Sequence, residues 1–187
     1  MSAIVTADDE TIARAKDGDH AAWRALYLAH AGRLVLWLDT QPTRDAGVGA
    51  EDVAAEAWLT AARKIADFDG NSDDFAGWLF GIARLLTRNA QRRTNRRRTS
   101  PTSVEILDLT TQERAPDASA GPDSDGWVAW LLSHLPERER QVVACLDVVG
   151  LDVPSTCAAL GMSASAVRVA RHRGLRRLRS LGVVITP

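Results

Sequence analysis

Residues 154–179 read PSTCAALGMSASAVRVARHRGLRRLR, and this stretch decides the fold of the C-terminal part of the chain. Pro154 to Leu160 has the length and composition of a short helix. Gly161 can adopt the left-handed conformation that a tight turn needs, and Ser163 can cap a following helix. The pattern predicts two helices joined by a short turn, the helix-turn-helix arrangement.

The second of these helices can be phased from its apolar residues. With Val167 facing inward, Gly174, Leu175 and Leu178 fall on the same side. The outer side and flanks carry Ser165, Arg168, Val169, His172, Arg173 and Arg176. A helix with one buried and one basic side suits the major groove of DNA, where its N-terminal residues reach base edges and its later arginines reach phosphates. Arg171 falls near the inward side, and we expect it to snorkel outward along its apolar stem.

A preceding helix completes this unit. It opens at Leu135-Pro-Glu-Arg-Glu-Arg-Gln-Val-Val143, where Pro136 suits the first helical position and the glutamates suit the positive end of the helix dipole. We expect Gly150 to end it. Its buried stripe is Val142, Val143, Leu146 and Val149.

The N-terminal part also has helical periodicity, so the predicted class is all-α. We expect helices over residues 8–16, 21–38, 50–66 and 75–97, with a polar loop over 68–74. The second helix has one apolar face at spacings of three and four: Trp23, Leu26, Tyr27, His30, Leu34 and Trp37. Residues 99–125 hold three prolines and little periodicity, which is typical of a flexible linker. The predicted organisation is a helical domain over 1–98, a linker over 99–125 and a helix-turn-helix domain over 126–187.

Charge is sorted along the chain although the net charge is only −1. Residues 84–98 contain seven arginines and residues 163–179 contain six, and neither segment contains an acid. The linker between them is acidic, with Arg114 as its one base. Two basic helices, one in each domain, indicate nucleic-acid binding.

Other functional classes find little support. No apolar run approaches the roughly 18 residues of a membrane span, and the N-terminus lacks the features of a secretory signal. Cys145 and Cys157 form no C-x-x-C pair; we favour small buried residues in a reducing cytoplasm, with a bridge left open. No nucleotide-binding, metalloprotease or serine-hydrolase motif is present, so we expect neither catalytic residues nor a cofactor or metal.

Two blocks of sequence together resemble the extracytoplasmic-function (ECF, group IV) sigma factors of bacterial RNA polymerase. The first runs from Ala50-Glu-Asp-Val to Phe75-Ala-Gly-Trp-Leu-Phe-Gly-Ile-Ala-Arg84 and its arginine-rich tail, and looks like the sigma-2 domain. The second runs from Leu135-Pro-Glu-Arg to His172-Arg173, and looks like the sigma-4 domain. Their order, their spacing and the acidic linker make the match specific.

The resemblance implies roles for individual residues. Core RNA polymerase would be bound by Asp52, Glu56, Leu59 and Arg63. The loop from Asp69 to Asp74 would capture a flipped base of the −10 promoter element, with contacts from Asp69, Gly70, Asn71 and Ser72. Asn71 is expected to hydrogen-bond the edge of that base, with the alternative that it is an ordinary solvent-facing residue of the loop. Strand separation would use Phe75, Trp78, Arg84, Arg88 and Arg92, with a core role favoured for the two aromatic residues. The −35 element would be read by Ser165, Arg168, Val169, His172, Arg173 and Arg176.

The resemblance also implies partners: core RNA polymerase, promoter DNA and an anti-sigma factor, with an orphan factor controlled by synthesis or proteolysis equally allowed. The acidic linker would thread the polymerase channel. The alternative is a helix-turn-helix regulator that acts without core polymerase, which leaves the first block unexplained; an adaptor that binds polymerase without DNA leaves the arginines unexplained. Ala55, Pro154, Thr156 and Cys157 depart from the family pattern, which bears on the polymerase contact and on promoter preference.

Overall fold

The computed structural model describes residues 9–41, 49–98 and 125–181. These residues contain α-helices and helical turns but no β-strand, so the all-α prediction is confirmed. The helices are α1 (Asp9–Lys16), α2 (His20–Asp39), α3 (Ala50–Lys64), α4 (Ser72–Arg98), α5 (Asp125–Ser133), α6 (Glu137–Val143), α7 (Val153–Leu160) and α8 (Ala164–Ser180). A 3₁₀ turn over Ile65–Asp67 extends α3, and a π-helical turn over Ala144–Val148 extends α6.

Helices α1 to α4 form an N-terminal unit around a large apolar core. Leu26, Leu34 and Trp37 of α2 are fully buried, and the ring of Trp37 lies 5.4 Å from that of Phe80 in α4. The indole Nε1 of Trp23 donates a hydrogen bond to the carbonyl oxygen of Ala15 at 3.0 Å, which ties α2 to α1. The core explains why this part of the chain forms one helical bundle.

The buried face predicted for α2 is wrong at one residue. Tyr27 is 53% exposed and packs at the rim, with its ring 5.2 Å from that of Trp58. Leu38, which the prediction omitted, is buried instead. A fixed spacing of three and four residues does not match the 3.6 residues of a helical turn. Over the 20 residues of α2 the buried stripe therefore shifts around the helix axis.

Helices α5 to α8 form a C-terminal unit. Its core contains one fully or almost fully buried residue from each of the last three helices: Val142 of α6, Leu160 of α7 and Val167 of α8. Pro136 is the N-cap of α6 rather than its first helical residue, a shift of one position from the prediction. The helix α5 begins at Asp125, which the sequence placed in the linker. The rest of the predicted linker, residues 99–124, lies outside the described residues.

The two units are packed against each other in this structure. Helix α7 of the C-terminal unit lies along α4 of the N-terminal unit, and Arg33 of α2 reaches the loop that follows α6. Helix α4 is therefore shared: it belongs to the N-terminal core and also forms the platform for the C-terminal unit.

Candidate nucleic-acid interface

The turn before α8 has the geometry that its sequence predicts. Gly161 ends α7 with φ +63°, in the left-handed region, where a residue with a side chain is strained. The side chain of Ser163 accepts a hydrogen bond from the backbone nitrogen of Ala166 at 3.3 Å and so caps α8. These two local features fix the angle at which α8 leaves α7.

The buried side of α8 is as predicted at three of its four residues. Val167, Gly174 and Leu178 face the core, whereas Leu175 is only half-buried, and Ala170, which the prediction omitted, is buried. Helix α8 passes so close to α6 at Gly174 that a Cβ atom there would lie 2.8 Å from Cγ2 of Val143. This close approach holds the helix in one rotational setting, and the setting determines which residues face outward.

The outer side of α8 is available to a ligand. Every member of the predicted −35 set is exposed in the structure: Ser165, Arg168, Val169, His172, Arg173 and Arg176. Val169 is 49% exposed, which is unusual for a valine on a packed helix. The structure therefore brings together guanidinium donors, a hydroxyl, an imidazole and an apolar side chain on one surface.

Two other arginines of α8 are held by acids of the C-terminal unit. The Nε of Arg171 donates to Oδ2 of Asp147 at 3.0 Å, and this carboxylate raises the pKa of Arg171. Arg177 pairs with the buried carboxylate of Glu139, with Nε and Oε2 2.9 Å apart. Arg171 is exposed, in keeping with the outward reach expected of it, and its guanidinium group pairs there with Asp147 of the π-helical turn. These two arginines brace α8, whereas Arg168, Arg173 and Arg176 lie on the outer face.

The loop between α3 and α4 is shorter than predicted, because α4 begins at Ser72 rather than near Phe75. The side-chain oxygen of Asn71 accepts hydrogen bonds from the backbone nitrogens of Asp73 (2.9 Å) and Asp74 (3.0 Å) and caps the helix. In return, Oδ2 of Asp74 accepts a bond from the backbone nitrogen of Asn71 at 3.2 Å. Asn71, the residue predicted to contact a base edge, is thus also the residue that caps α4. Its side-chain carbonyl oxygen is already hydrogen-bonded within the protein.

Helix α1 contributes residues to this loop that sequence reasoning missed. Oδ1 of Asp9 accepts hydrogen bonds from the backbone nitrogen and the hydroxyl of Ser72, at 3.0 and 3.2 Å. An open pocket of about 460 Å³ lies between α1 and the loop; it is lined in part by Asp9, Lys16, Asp69, Gly70 and Asn71. No local signal in the sequence pairs Asp9 with Ser72, since 63 residues separate them.

An aromatic cluster lies beneath the loop. Phe75 is fully buried, with its ring centroid 5.9 Å from that of Phe68 and 5.7 Å from that of Trp78. The ring of Phe68 packs against that of Trp78 in a tilted arrangement, with centroids 4.7 Å apart. Phe75 has no surface to offer a base in this conformation, whereas Trp78 is half-buried. Phe75 supports the loop from below, as the core role favoured for it requires.

The arginines of α4 differ in their surroundings. Arg88 and Arg92 are exposed. Arg84 is partly buried, and its Nε has no hydrogen-bond partner among the described residues. Burial lowers the pKa of Arg84 and the charge of Arg88 adds to this, while Glu137 of the C-terminal unit acts in the opposite direction.

The residues expected to bind polymerase lie along α3. Asp52 caps the helix, since its Oδ2 accepts a hydrogen bond from the backbone nitrogen of Gly49 at 3.2 Å. Glu56 and Arg63 are exposed, and Oε1 of Glu56 lies 4.0 Å from Nη1 of Arg63. Leu59 is 52% exposed, and on the adjacent helix Leu28 is 71% exposed. Leu28, which no sequence pattern singled out, is a second exposed apolar side chain of this unit.

The described residues contain no group of three or more His, Cys, Asp or Glu side chains placed to hold a metal ion. Cys145 and Cys157 are both free thiols, and burial raises the pKa of Cys145 to about 12. Within the same residues, no helix is both long enough and apolar enough to cross a membrane.

Comparison with known proteins identifies both units. The family described as Sigma-70 region 2 matches residues 23–97, and the family described as Sigma-70, region 4 matches residues 127–178. The structure of CnrH in complex with the cytosolic domain of CnrY has a TM-score of 0.65 at 24% identity, covering 94% of this chain and 96% of that chain, which shows a shared fold.

Relatives match the chain over nearly its whole length. The ECF RNA polymerase sigma factor ShbA of Streptomyces griseus is 35% identical over 93% of this chain and 97% of its own. The ECF RNA polymerase sigma factor SigD of Mycobacterium tuberculosis is 32% identical over 91% of this chain and 82% of its own. Both regions occur here in one chain, which a helix-turn-helix regulator acting without polymerase would not explain. The chain therefore belongs to the ECF RNA polymerase sigma factors, which are not enzymes, and it initiates transcription with core RNA polymerase.

Proposed function

We propose that this sigma factor reads two promoter elements with two separate surfaces: the outer face of α8 binds the −35 element, and the loop over residues 68–71 with the basic side of α4 binds the −10 element. The observation that carries the proposal is that, among the described residues, some arginines of α8 pair with acidic side chains of the same unit and others do not. Arg171 and Arg177, themselves exposed, are paired with Asp147 and Glu139, whereas Arg168, Arg173 and Arg176 lie on the outer face.

The α8 surface suits direct readout of duplex DNA. Ser165, Arg168 and Val169 lie in the first half of the helix, which enters the groove first. An arginine there can donate two hydrogen bonds to guanine, and the exposed valine can contact a thymine methyl group. His172 and Arg173 lie one turn further along the same outer face and complete the base contacts, and Arg176 serves the phosphate backbone.

The loop between α3 and α4 suits capture of a single base. The side-chain carbonyl oxygen of Asn71 caps α4. The side-chain NH2 group therefore remains to donate a hydrogen bond to a base edge. The adjacent pocket of about 460 Å³ gives the base room beside Asp69 and Gly70. Trp78 offers a ring on which a neighbouring base can stack, and Arg84, Arg88 and Arg92 hold the phosphates of the separated strand. Extruding the base costs a few kcal/mol, which these contacts offset.

The exposed surface of α3 is our proposed contact with core polymerase. Leu59 supplies an apolar anchor, and the flanking charges of Glu56 and Arg63 make the contact specific. Asp52 contributes to this contact indirectly, because its carboxylate caps the start of α3. This activity places the protein in the cytoplasm with polymerase and the chromosome. The complex of CnrH with the cytosolic domain of CnrY supports a further proposal, that an anti-sigma factor binds this chain too.

Transcript mapping tests the proposal. The purified chain is mixed with core RNA polymerase and fragmented genomic DNA, and the 5′ ends of the new transcripts are sequenced. We expect start sites that share two upstream motifs at a fixed spacing and that are absent with core polymerase alone. Transcripts that share only one motif, or none, would contradict the two-surface reading.

A further inference from the structure

A small cavity of about 60 Å³ lies between the end of α2, the middle of α4 and the start of α6. Its lining is polar apart from the indole of Trp37, and it comes from both helical units of the protein. A few polar groups that converge on one enclosed space are typical of a ligand site. The cavity lies apart from the loop before α4 and from the outer face of α8.

Three polar side chains of this lining are buried. Gln41 is only 6% exposed, and Thr87 and Gln141 are only 8% exposed. Burying a polar side chain costs free energy unless it is hydrogen-bonded. Nε2 of Gln141 donates a hydrogen bond to Oε1 of Glu137 at 3.2 Å. Because an amide nitrogen carries two N–H groups, Gln141 has a second donor for an occupant of the cavity.

Two further residues of the lining carry buried donors that lack an acceptor. Nε1 of Trp37 and Nε of Arg84 form no hydrogen bond with any residue that the structure describes. The indole of Trp37 interacts with the thiol of Cys145, but a thiol sulfur accepts hydrogen bonds only weakly. A buried donor without an acceptor destabilises the folded state, so the lining favours an occupant that accepts hydrogen bonds.

The charges around the cavity favour an anion over water. Arg84 and Arg88 line it with two positive charges, and Glu137 lines it with one negative charge. Burial lowers the pKa of Arg84 and the charge of Arg88 lowers it further, while Glu137 acts in the opposite direction. An anion between the two guanidinium groups stabilises both charges, which a neutral water molecule does not.

The volume of the cavity limits the size of the anion. A water molecule needs about 10–15 Å³, so a cavity of about 60 Å³ holds roughly four to six atoms of that size. A phosphate ion, which has one phosphorus and four oxygen atoms, falls within this range. Guanidinium groups also bind phosphate oxygens with paired N–H donors, which gives the contact geometric specificity.

We propose that this cavity binds one tetrahedral oxyanion, either inorganic phosphate or the phosphate group of a small phosphomonoester. Arg84 and Arg88 hold its charge from α4, and Trp37 and Gln141 donate hydrogen bonds from α2 and α6. The site shares its two arginines with the promoter contacts proposed above, but it does not depend on those contacts.

Isothermal titration calorimetry of the full-length free chain with inorganic phosphate tests the proposal. The buffer contains no other oxyanion, and sodium chloride keeps the ionic strength constant, so that screening of the other arginines does not change. We expect saturable binding of one phosphate per chain. Adenosine monophosphate is the second titrant: if it binds as well, the site accepts a phosphomonoester, and if only phosphate binds, the site takes the free ion.

Three variants locate the bound ion. Arg84→Gln removes a guanidinium group from the cavity, and Arg92→Gln removes an exposed one further along α4, outside the lining, as the matched control. Gln141→Leu changes the wall formed by α6 and leaves every arginine in place. Circular dichroism confirms that each variant is folded. We expect phosphate binding to weaken at least about tenfold in Arg84→Gln and about fivefold in Gln141→Leu, and to stay unchanged in Arg92→Gln.

Three results would overturn the proposal. The first is a wild type that shows no saturable binding of either titrant. The second is equal weakening by Arg84→Gln and Arg92→Gln, which would indicate general attraction to a basic helix. The third is a Gln141→Leu variant that binds phosphate as tightly as the wild type, since the ion would then lie outside the cavity. No DNA or polymerase is present, so a failure here is distinguishable from a failure of the proposed promoter contacts.

Discussion

Acid should destabilise this protein through His30. The side chain is 8% exposed in the core of the N-terminal unit, and neither ring nitrogen has a hydrogen-bond partner among the described residues. Burial, with a contribution from the charge of Arg33, lowers the pKa of His30 from 6.5 to about 4. The native state therefore keeps this imidazole neutral at pH values where the unfolded chain protonates it.

The pH range of the effect follows from these two pKa values. Above about pH 6.5 neither state binds the proton, so His30 leaves stability unaffected. As the pH falls below 6.5, the unfolded state gains a proton that the native state excludes, and stability falls until both states are protonated below about pH 4. Between pH 7 and pH 5 this loss amounts to about 2 kcal/mol, a large part of the roughly 5–15 kcal/mol that stabilises a domain.

Urea unfolding followed by circular dichroism at pH 7, 6 and 5 measures the loss. His30→Leu replaces the imidazole with an apolar group of similar size, and His20→Gln removes an exposed imidazole as a control. We expect the wild type and His20→Gln to lose about 2 kcal/mol more than His30→Leu between pH 7 and pH 5. If the wild type and His30→Leu lose stability in parallel, the reasoning is refuted.

Two further predictions use neighbouring or matched residues. Gly161→Ala forces a side chain into the left-handed region and should lower the free energy of unfolding by about 1 kcal/mol, whereas Gly32→Ala, in an open helical position, should raise it slightly; thermal unfolding that ranks them otherwise contradicts this. Arg176→Ala should reduce the salt dependence of promoter binding by about one unit of slope without changing stability, and Arg177→Ala should lower stability by about 1 kcal/mol because it leaves Glu139 buried and unpaired. Equal effects of the two arginines would argue against the phase of α8.

The features predicted correctly from the sequence are those set by neighbouring residues. Gly161 and Ser163 define the turn before α8 through local backbone preferences, and the spacing of Val167 and Gly174 defines the buried side of that helix. Each of these signals lies within about one or two helical turns. The exposed surface of α8 followed from them without knowledge of the rest of the fold.

The features missed from the sequence depend on residues far apart in the chain. Asp9 caps α4 from 63 residues away, and Arg171 pairs with Asp147 of the π-helical turn, 24 residues earlier in the chain. No local signal marks Gly77, where a Cβ atom would lie 2.8 Å from the carbonyl oxygen of Ser155 in α7. Periodicity describes one helix at a time, so it cannot show which helices meet.

The measurement that tests the central claim most directly is transcript mapping with two variants. Arg173→Ala alters the α8 surface, and Asn71→Ala alters the loop before α4; circular dichroism first confirms that both are folded. Each variant is combined with core polymerase on a library of promoters randomised in both elements, and the transcribed promoters are sequenced. Our account predicts that Arg173→Ala relaxes or weakens selection only in the upstream motif and Asn71→Ala only in the downstream motif. A variant that changes selection in the other motif, or that changes neither motif, would contradict it.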